Sequence, residues 1–227
     1  MKIPPGDMRV IWLSHVIEET TPLYGGKRDI SIRTIKSINK GDACNETSIS
    51  MPSHTGTHVD APRHFLEKGM TVSDYPPAAW IFHHPCLVEV EVPPTMLIRP
   101  EDIIGKVQWS EETDLLLVKT GFERRRSEEV YWREGPGLSS SFAVYIMRMM
   151  PHLKAVGIDF ISISTLTDRD EGRQVHHLLL EKGIRIIEDL SLEGIRDRAR
   201  IRCVIVLPLR MVGGDGAPCT VLAWIDD

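Results

Sequence analysis

Three histidines and an aspartate fall within eleven residues, His54-Thr55-Gly56-Thr57-His58-Val59-Asp60-Ala61-Pro62-Arg63-His64. Imidazole nitrogens and a carboxylate are natural donors to zinc and comparable divalent ions. The spacing imposes a geometric condition. On one straight strand His54 and His58 would stand about 13 Å apart, at roughly 3.3 Å per residue, whereas donors to one ion each lie about 2 Å from it. The chain must bend between them, and Gly56 tolerates the backbone angles a bend requires. A helix would also bring residues four apart together. However, Thr55, Gly56, Thr57 and Val59 are poor helix formers, and Pro62 would end a helix. A glycine-bent loop is expected, then a short extended stretch that aims His58 and Asp60 at one face. The competing reading is a polar structural loop. The pattern is not H-E-x-x-H, because Thr55 follows the first histidine.

The elements that must position this cluster are mostly short strands. Val-, Ile- and Leu-rich runs at 10–13, 30–38, 86–92, 114–119, 155–158, 184–187 and 201–207 read as strands, with Ile30 to Ile38 half-buried. Helices are expected at 100–105, at 139–150 with Pro151 as a stop, at 174–182 with Gly183 as a C-terminal cap, and at 190–196. Strands outnumber helices without strict alternation. The expectation is one α/β domain over residues 1–227, with a β-rich mixed sheet and flanking helices.

Composition excludes several classes. Hydrophobic residues make up 42% and charged residues 26%, so the chain is neither disordered nor fibrous. The net charge of -5 offers no basic footprint for nucleic acid. Acids flank the run Arg124-Arg125-Arg126, which reads as a solvated face. Cys44, Cys86, Cys203 and Cys219 lie far apart, without a C-x-x-C zinc pair. No apolar run approaches a membrane span, and Met1 to Asp7 carries no apolar signal core, so a cytoplasmic protein without membrane or nucleic-acid partners is expected. Of the remaining histidines, His83 and His84 read as a loop pair and His15 as structural.

The segment His54 to His64 resembles the signature H-x-G-T-H-x-D-x-P-x-H of the cyclase-like metal-dependent hydrolases, a family that includes bacterial kynurenine formamidases and isatin hydrolases. The resemblance extends to Trp12-Leu13-Ser14-His15, Thr21-Pro22-Leu23-Tyr24, Val156-Gly157-Ile158-Asp159, Val175-His176-His177-Leu178-Leu179, Ile186-Ile187-Glu188-Asp189-Leu190 and the Gly213 to Pro218 block. It implies a swivelling β/β/α fold and one or two divalent ions per subunit, zinc or else manganese. His54, His58 and Asp60 would hold one ion. His176, favoured over His177, and Glu188 would complete a second position bridged by Asp60. His64 would be the acid/base, and Tyr24 or Trp12 would pack against an aromatic substrate. The implied reaction is hydrolysis of an amide C–N bond in a small molecule, with N-formylkynurenine as prototype and a homodimer or homotetramer as assembly. Hydrolysis of a cyclic amide and a non-catalytic metal-binding protein are the alternatives. Two positions depart from the family pattern: Tyr24-Gly25-Gly26-Lys27 replaces an aromatic-Pro-Gly-Asp turn, and Thr165 stands where an aspartate is frequent.

Overall fold

The computed structural model describes residues 8–106, 109–196 and 200–226; the expectation for Met1 to Asp7 lies outside them. The apolar runs form strands β1 (Met8–Trp12), β2 (Ser31–Lys36), β3 (Glu46–Ser50), β4 (His58–Asp60), β5 (Ile81–Phe82), β6 (Pro85–Glu89), β7 (Leu97–Ile98), β8 (Leu115–Lys119), β9 (Gly137–Leu138), β10 (Ala155–Ile158), β11 (Arg185–Glu188), β12 (Arg200–Pro208) and β13 (Gly216–Asp226). Nine of them make one mixed sheet in the order β5-β12-β13-β4-β11-β10-β8-β6, with β1 also on β13. β6, β8, β10 and β11 run parallel, and the remaining pairings are antiparallel. β5 and β6 lie at opposite ends of this order, yet only His83 and His84 separate them in the chain. The sheet must therefore curl back on itself into a nearly closed barrel. The Asp114 carboxylate secures that junction by accepting the His83 and His84 backbone N–H groups at 3.0 and 2.9 Å.

Alternation along the strands divides the core in two. Leu116, Val118, Val156 and Ile158 face helices α2 (Ser140–Met149) and α3 (Arg169–Glu181), meeting Phe142, Ile146, Val175 and Leu179. Leu115, Leu117, Ala155 and Ile187 face the barrel interior with Val59, Val204, Val221 and Ala223. Burial on both faces explains why β8 reads as an unbroken apolar run.

Several sequence expectations are corrected. α3 starts at Arg169 rather than Gln174, because Asp168 caps it by accepting the Glu171 N–H at 3.1 Å. Its first turn is polar and therefore invisible to apolar periodicity. Residues 190–196 form no helix: the Leu190 and Ser191 N–H groups donate to Ile158 and Leu13 carbonyls, so they cannot close helical turns. The strand expected to be half-buried at 30–38 pairs with β3 as a separate two-stranded hairpin, on which Ile35 and Ile49 stand more than half exposed. The strand β13, whose second half is the apolar run Val221 to Ile225, is not among the strands expected from the sequence. A further helix, α1 (Glu129–Arg133), holds a single turn.

The turn carrying His64 depends on close backbone approach. Residues 62–70 fold back, with Arg63 N–H donating to the Met70 carbonyl at 3.0 Å. A Cβ on Gly69 would lie 2.4 Å from the Pro62 carbonyl carbon and 2.6 Å from the Arg63 nitrogen. Gly69→Ala should therefore lower stability by roughly 1–3 kcal/mol through overpacking, read as a reduced urea midpoint with an unchanged m value.

Candidate metal centre

Strand β4 sits between β11 and β13, and its register brings the chemistry together. His58 pairs with Glu188 and Pro218, while Asp60 pairs with Ile186 and Gly216. The bend before it is real: Gly56 has φ of +60°. The His58 Nδ1–H donates to the Gly56 carbonyl at 2.8 Å, which directs Nε2 towards Asp60 and Glu188. From α3, the His176 Nδ1–H donates to the Gly172 carbonyl at 2.7 Å, one helical turn back, and Nε2 points to the same two carboxylates. Glu188 is held by the Ile163 N–H at 2.7 Å and the Ser162 hydroxyl at 3.0 Å, both on Oε1. Phe65 stacks on the His176 ring at 4.3 Å and meets the His64 ring edge-on.

His54 stands on the Asp60 oxygen that His58 also faces. Its Nδ1 lies 2.8 Å from Asp60 Oδ1 and its Nε2 2.8 Å from Asp215 Oδ2. His64 follows β4 on a short 3-10 turn, 30% exposed, with Nδ1 3.1 Å from the same Asp215 oxygen. The His54 and His64 rings are 4.0 Å apart.

Carboxylates set the charge here. Burial opposes the His54 cation, but Asp60 and Asp215 outweigh it and raise the imidazole to about 9. His58 and His176 are raised by Asp60 and Glu188, again against burial. Burial would raise Asp60, yet His54, His176 and His58 hold it well below the carboxylate range. His64 differs: burial lowers it, partly offset by Asp60 and reinforced by the neighbouring His54. The carboxylates thus demand positive charge inside the protein, which protonated imidazoles or a divalent ion can supply.

The structure brings His54, His58, Asp60, His64, His176 and Glu188 into one cluster, and it aims His176 rather than the half-buried His177 at Asp60. Within the cluster His54 and His58 both face Asp60 Oδ1, whereas His176 faces Oδ2. Glu188 lies between His58 and His176, and the His54 ring lies beside His64. Tyr24 lies close enough to feel the Glu188 charge; burial, chiefly, raises its phenol. Trp12 is not brought in. It is 67% exposed, and its partner on β13 is Leu222, four residues and about 13 Å along from the His58 partner Pro218.

Sequence reasoning missed the support behind this centre. Asp189, fully buried with φ of +53°, receives a two-pronged ion pair from Arg126 at 2.7–2.8 Å and the Tyr131 hydroxyl at 2.5 Å. Arg126 is therefore no solvated face residue. Its flanking arginines do form exposed pairs, with Glu193 and Glu128. The Thr57 hydroxyl donates to the Asp189 carbonyl and accepts the His15 N–H, which ties the Gly56 bend to the end of β11. His15 Nε2 lies 3.9 Å from Glu123 and 4.0 Å from Asp189.

Comparison with known proteins places the chain in a family. The family model described as putative cyclase matches residues 11–165. Kynurenine formamidase of Bacillus thuringiensis subsp. konkukian is 26% identical over 212 residues, 91% of this chain and 92% of its own. A solved structure described as a potential metal-dependent hydrolase with cyclase activity superposes with a TM-score of 0.77 at 27% identity, covering 97% of this chain and 99% of that one. Isatin hydrolase A from Labrenzia aggregata shares the fold, with a TM-score of 0.80 at 21% identity over 97% and 94%. The chain belongs to the cyclase family and is a hydrolase.

Two outcomes test the support. Arg126→Ala leaves the Asp189 charge buried without its partner and should cost about 3–5 kcal/mol, read from denaturant unfolding. Burial, aided by Asp159, raises Glu123 from 4.5 to about 7. Between these values the unfolded chain has lost this proton and the folded chain keeps it, so stability falls as pH rises through the window. Glu123→Gln keeps an acceptor for the Leu192 N–H and should abolish that fall, measured by urea unfolding on both sides of the window.

Proposed function

We propose that this chain is a metal-dependent amidohydrolase that cleaves the C–N bond of a small aryl amide, with an aryl formamide such as N-formylkynurenine as the leading substrate. One observation carries the reading. His58 Nε2 stands 3.5 Å from Asp60 Oδ1 and 3.4 Å from Glu188 Oε2, and His176 Nε2 stands 3.5 Å from Asp60 Oδ2 and 3.8 Å from Glu188 Oε1. These distances are too long for a good hydrogen bond, but they are near the edge of a tetrahedron with bonds of about 2.0–2.2 Å, roughly 3.4 Å. Asp60 Oδ2, buried in this group, has no hydrogen-bond partner. A carboxylate oxygen left bare among inward-facing imidazoles suits a cation. The mixed nitrogen and oxygen donors suit zinc, with manganese as the other candidate.

His54, His58 and Asp60 Oδ1 would hold one ion, and His176, Glu188 and Asp60 Oδ2 would hold a second where two bind. A bound divalent ion polarises a carbonyl and makes hydroxide available near neutral pH. His64, more exposed and pushed below its ordinary value chiefly by burial, would carry a proton to the leaving nitrogen. Tyr24 would meet the aromatic part of the substrate. The exposed Ile35, Ile38 and Ile49 around the β2–β3 hairpin support assembly as a homodimer or homotetramer.

The test joins metal analysis to a substrate panel of aryl formamides, cyclic amides such as isatin, and esters. Turnover of formamides above the others supports the reading, and a preference for cyclic amides points to the isatin hydrolase type. A purified chain that takes up no divalent ion overturns the proposal. His58→Ala should lose both metal and turnover. His64→Ala should retain metal while kcat falls about 10²-fold or more.

A further inference from the structure

We propose that Asp215 is a positioning residue of this centre: its carboxylate clamps the His54 and His64 imidazoles side by side and presents His64 in one tautomer, with Nδ1–H towards Asp215 and the lone pair on Nε2. The proposal rests on the amidohydrolase reading for its kinetic consequences, but not for its geometry.

The two oxygens of Asp215 divide their work. Oδ1 accepts the Ser53 hydroxyl at 3.1 Å, and Oδ2 lies 2.8 Å from His54 Nε2 and 3.1 Å from His64 Nδ1. His54 is also held by Asp60, but the His64 ring, 4.0 Å from it, takes its orientation from Asp215, and a positive charge on one imidazole would repel a charge on the other. A shared carboxylate removes that conflict and fixes both ring planes, as the orienting carboxylate of a serine-protease triad does for its histidine.

The backbone shows that Asp215 is placed for this. Its carbonyl accepts the Ala61 N–H at 2.9 Å, one residue after Asp60, so the loop is stitched to the strand that carries the cluster. Gly214 accepts the Val72 N–H at 2.9 Å. A Cβ on Gly216 would lie 2.4 Å from His54 Cε1 and 2.8 Å from the Val59 carbonyl oxygen. The Gly214-Asp215-Gly216 segment thus lies flat against His54, with Asp215 as its one projecting side chain. Asp215 is 40% exposed, unlike Asp60 and Glu188. It stands at the solvent side of the cluster with His64, where a substrate would enter.

The experiment compares the parent chain with Asp215→Ala, Asp215→Asn and Ser53→Ala, all loaded with zinc. NMR of the imidazole nitrogens of His64 reports the tautomer without any substrate. Metal per chain and kcat and KM on an aryl formamide are measured alongside. Expected results are an Nδ1–H tautomer in the parent and its loss in Asp215→Ala. Zinc content should be kept, KM nearly unchanged and kcat reduced by about 10²-fold. The isosteric Asp215→Asn, which keeps one acceptor oxygen, should recover part of that loss, and Ser53→Ala should reduce kcat only severalfold. Should Asp215→Ala fail to fold, Asp215→Asn carries the comparison. An unchanged His64 tautomer in Asp215→Ala overturns the proposal, as does a loss of zinc that accounts for the whole loss of rate. If the parent hydrolyses no formamide, the amidohydrolase reading fails while the tautomer result still decides the role of Asp215.

Discussion

The buried carboxylate of Asp60 is the constraint on which this structure turns. It is 1% exposed, and three imidazoles face it, from His54, His58 and His176. A bare anion at such depth would be very costly, so the surrounding chain must deliver positive charge to it. Delivering that charge, and balancing a second buried carboxylate at Glu188, requires segments far apart in the chain to meet. The Gly56 bend brings His54 back, β4 aims His58 along its own face, α3 brings His176, and β11 ends with Glu188 across from His58.

The barrel supplies this convergence because register in a sheet is set by burial. Val59 must face the interior, so His58 and Asp60 face the other way together. Ile187 must face the same interior, which turns Glu188 towards His58. A one-residue slip of either strand would bury the ligands in the apolar interior and point Val59 or Ile187 at the metal centre. The site and the core are therefore specified by the same alternation.

A second shell of polar contacts keeps these ends rigid. Glu188 is tied to Ser162 and Ile163, and Asp189 beside it to Arg126 and Tyr131. Neighbouring acidic residues on one strand end thus face opposite ways, one to the candidate ion and one to an internal arginine. Opposite pulls on adjacent residues hold the backbone in the positive-φ conformation seen at Asp189.

Much of this was legible in the sequence. The donor cluster from His54 to His64 announced itself by residue type, and distance alone required a bend at Gly56, which the structure shows. The apolar runs of β8, β10 and β12 were plain because they are buried on one or both faces. The resemblance, not the spacing, singled out His176 and Glu188, since nothing in a linear chain says which distant histidine and glutamate meet. Tertiary structure alone decided the rest. It set His58 across from Glu188, left Trp12 outside, turned Arg126 inward and brought Asp215 from the far end of the chain onto His54 and His64. Residue type and spacing determine which donors one short segment can offer. Which donors share a site depends on strand register and helix packing, and those are set by burial summed over the whole sheet.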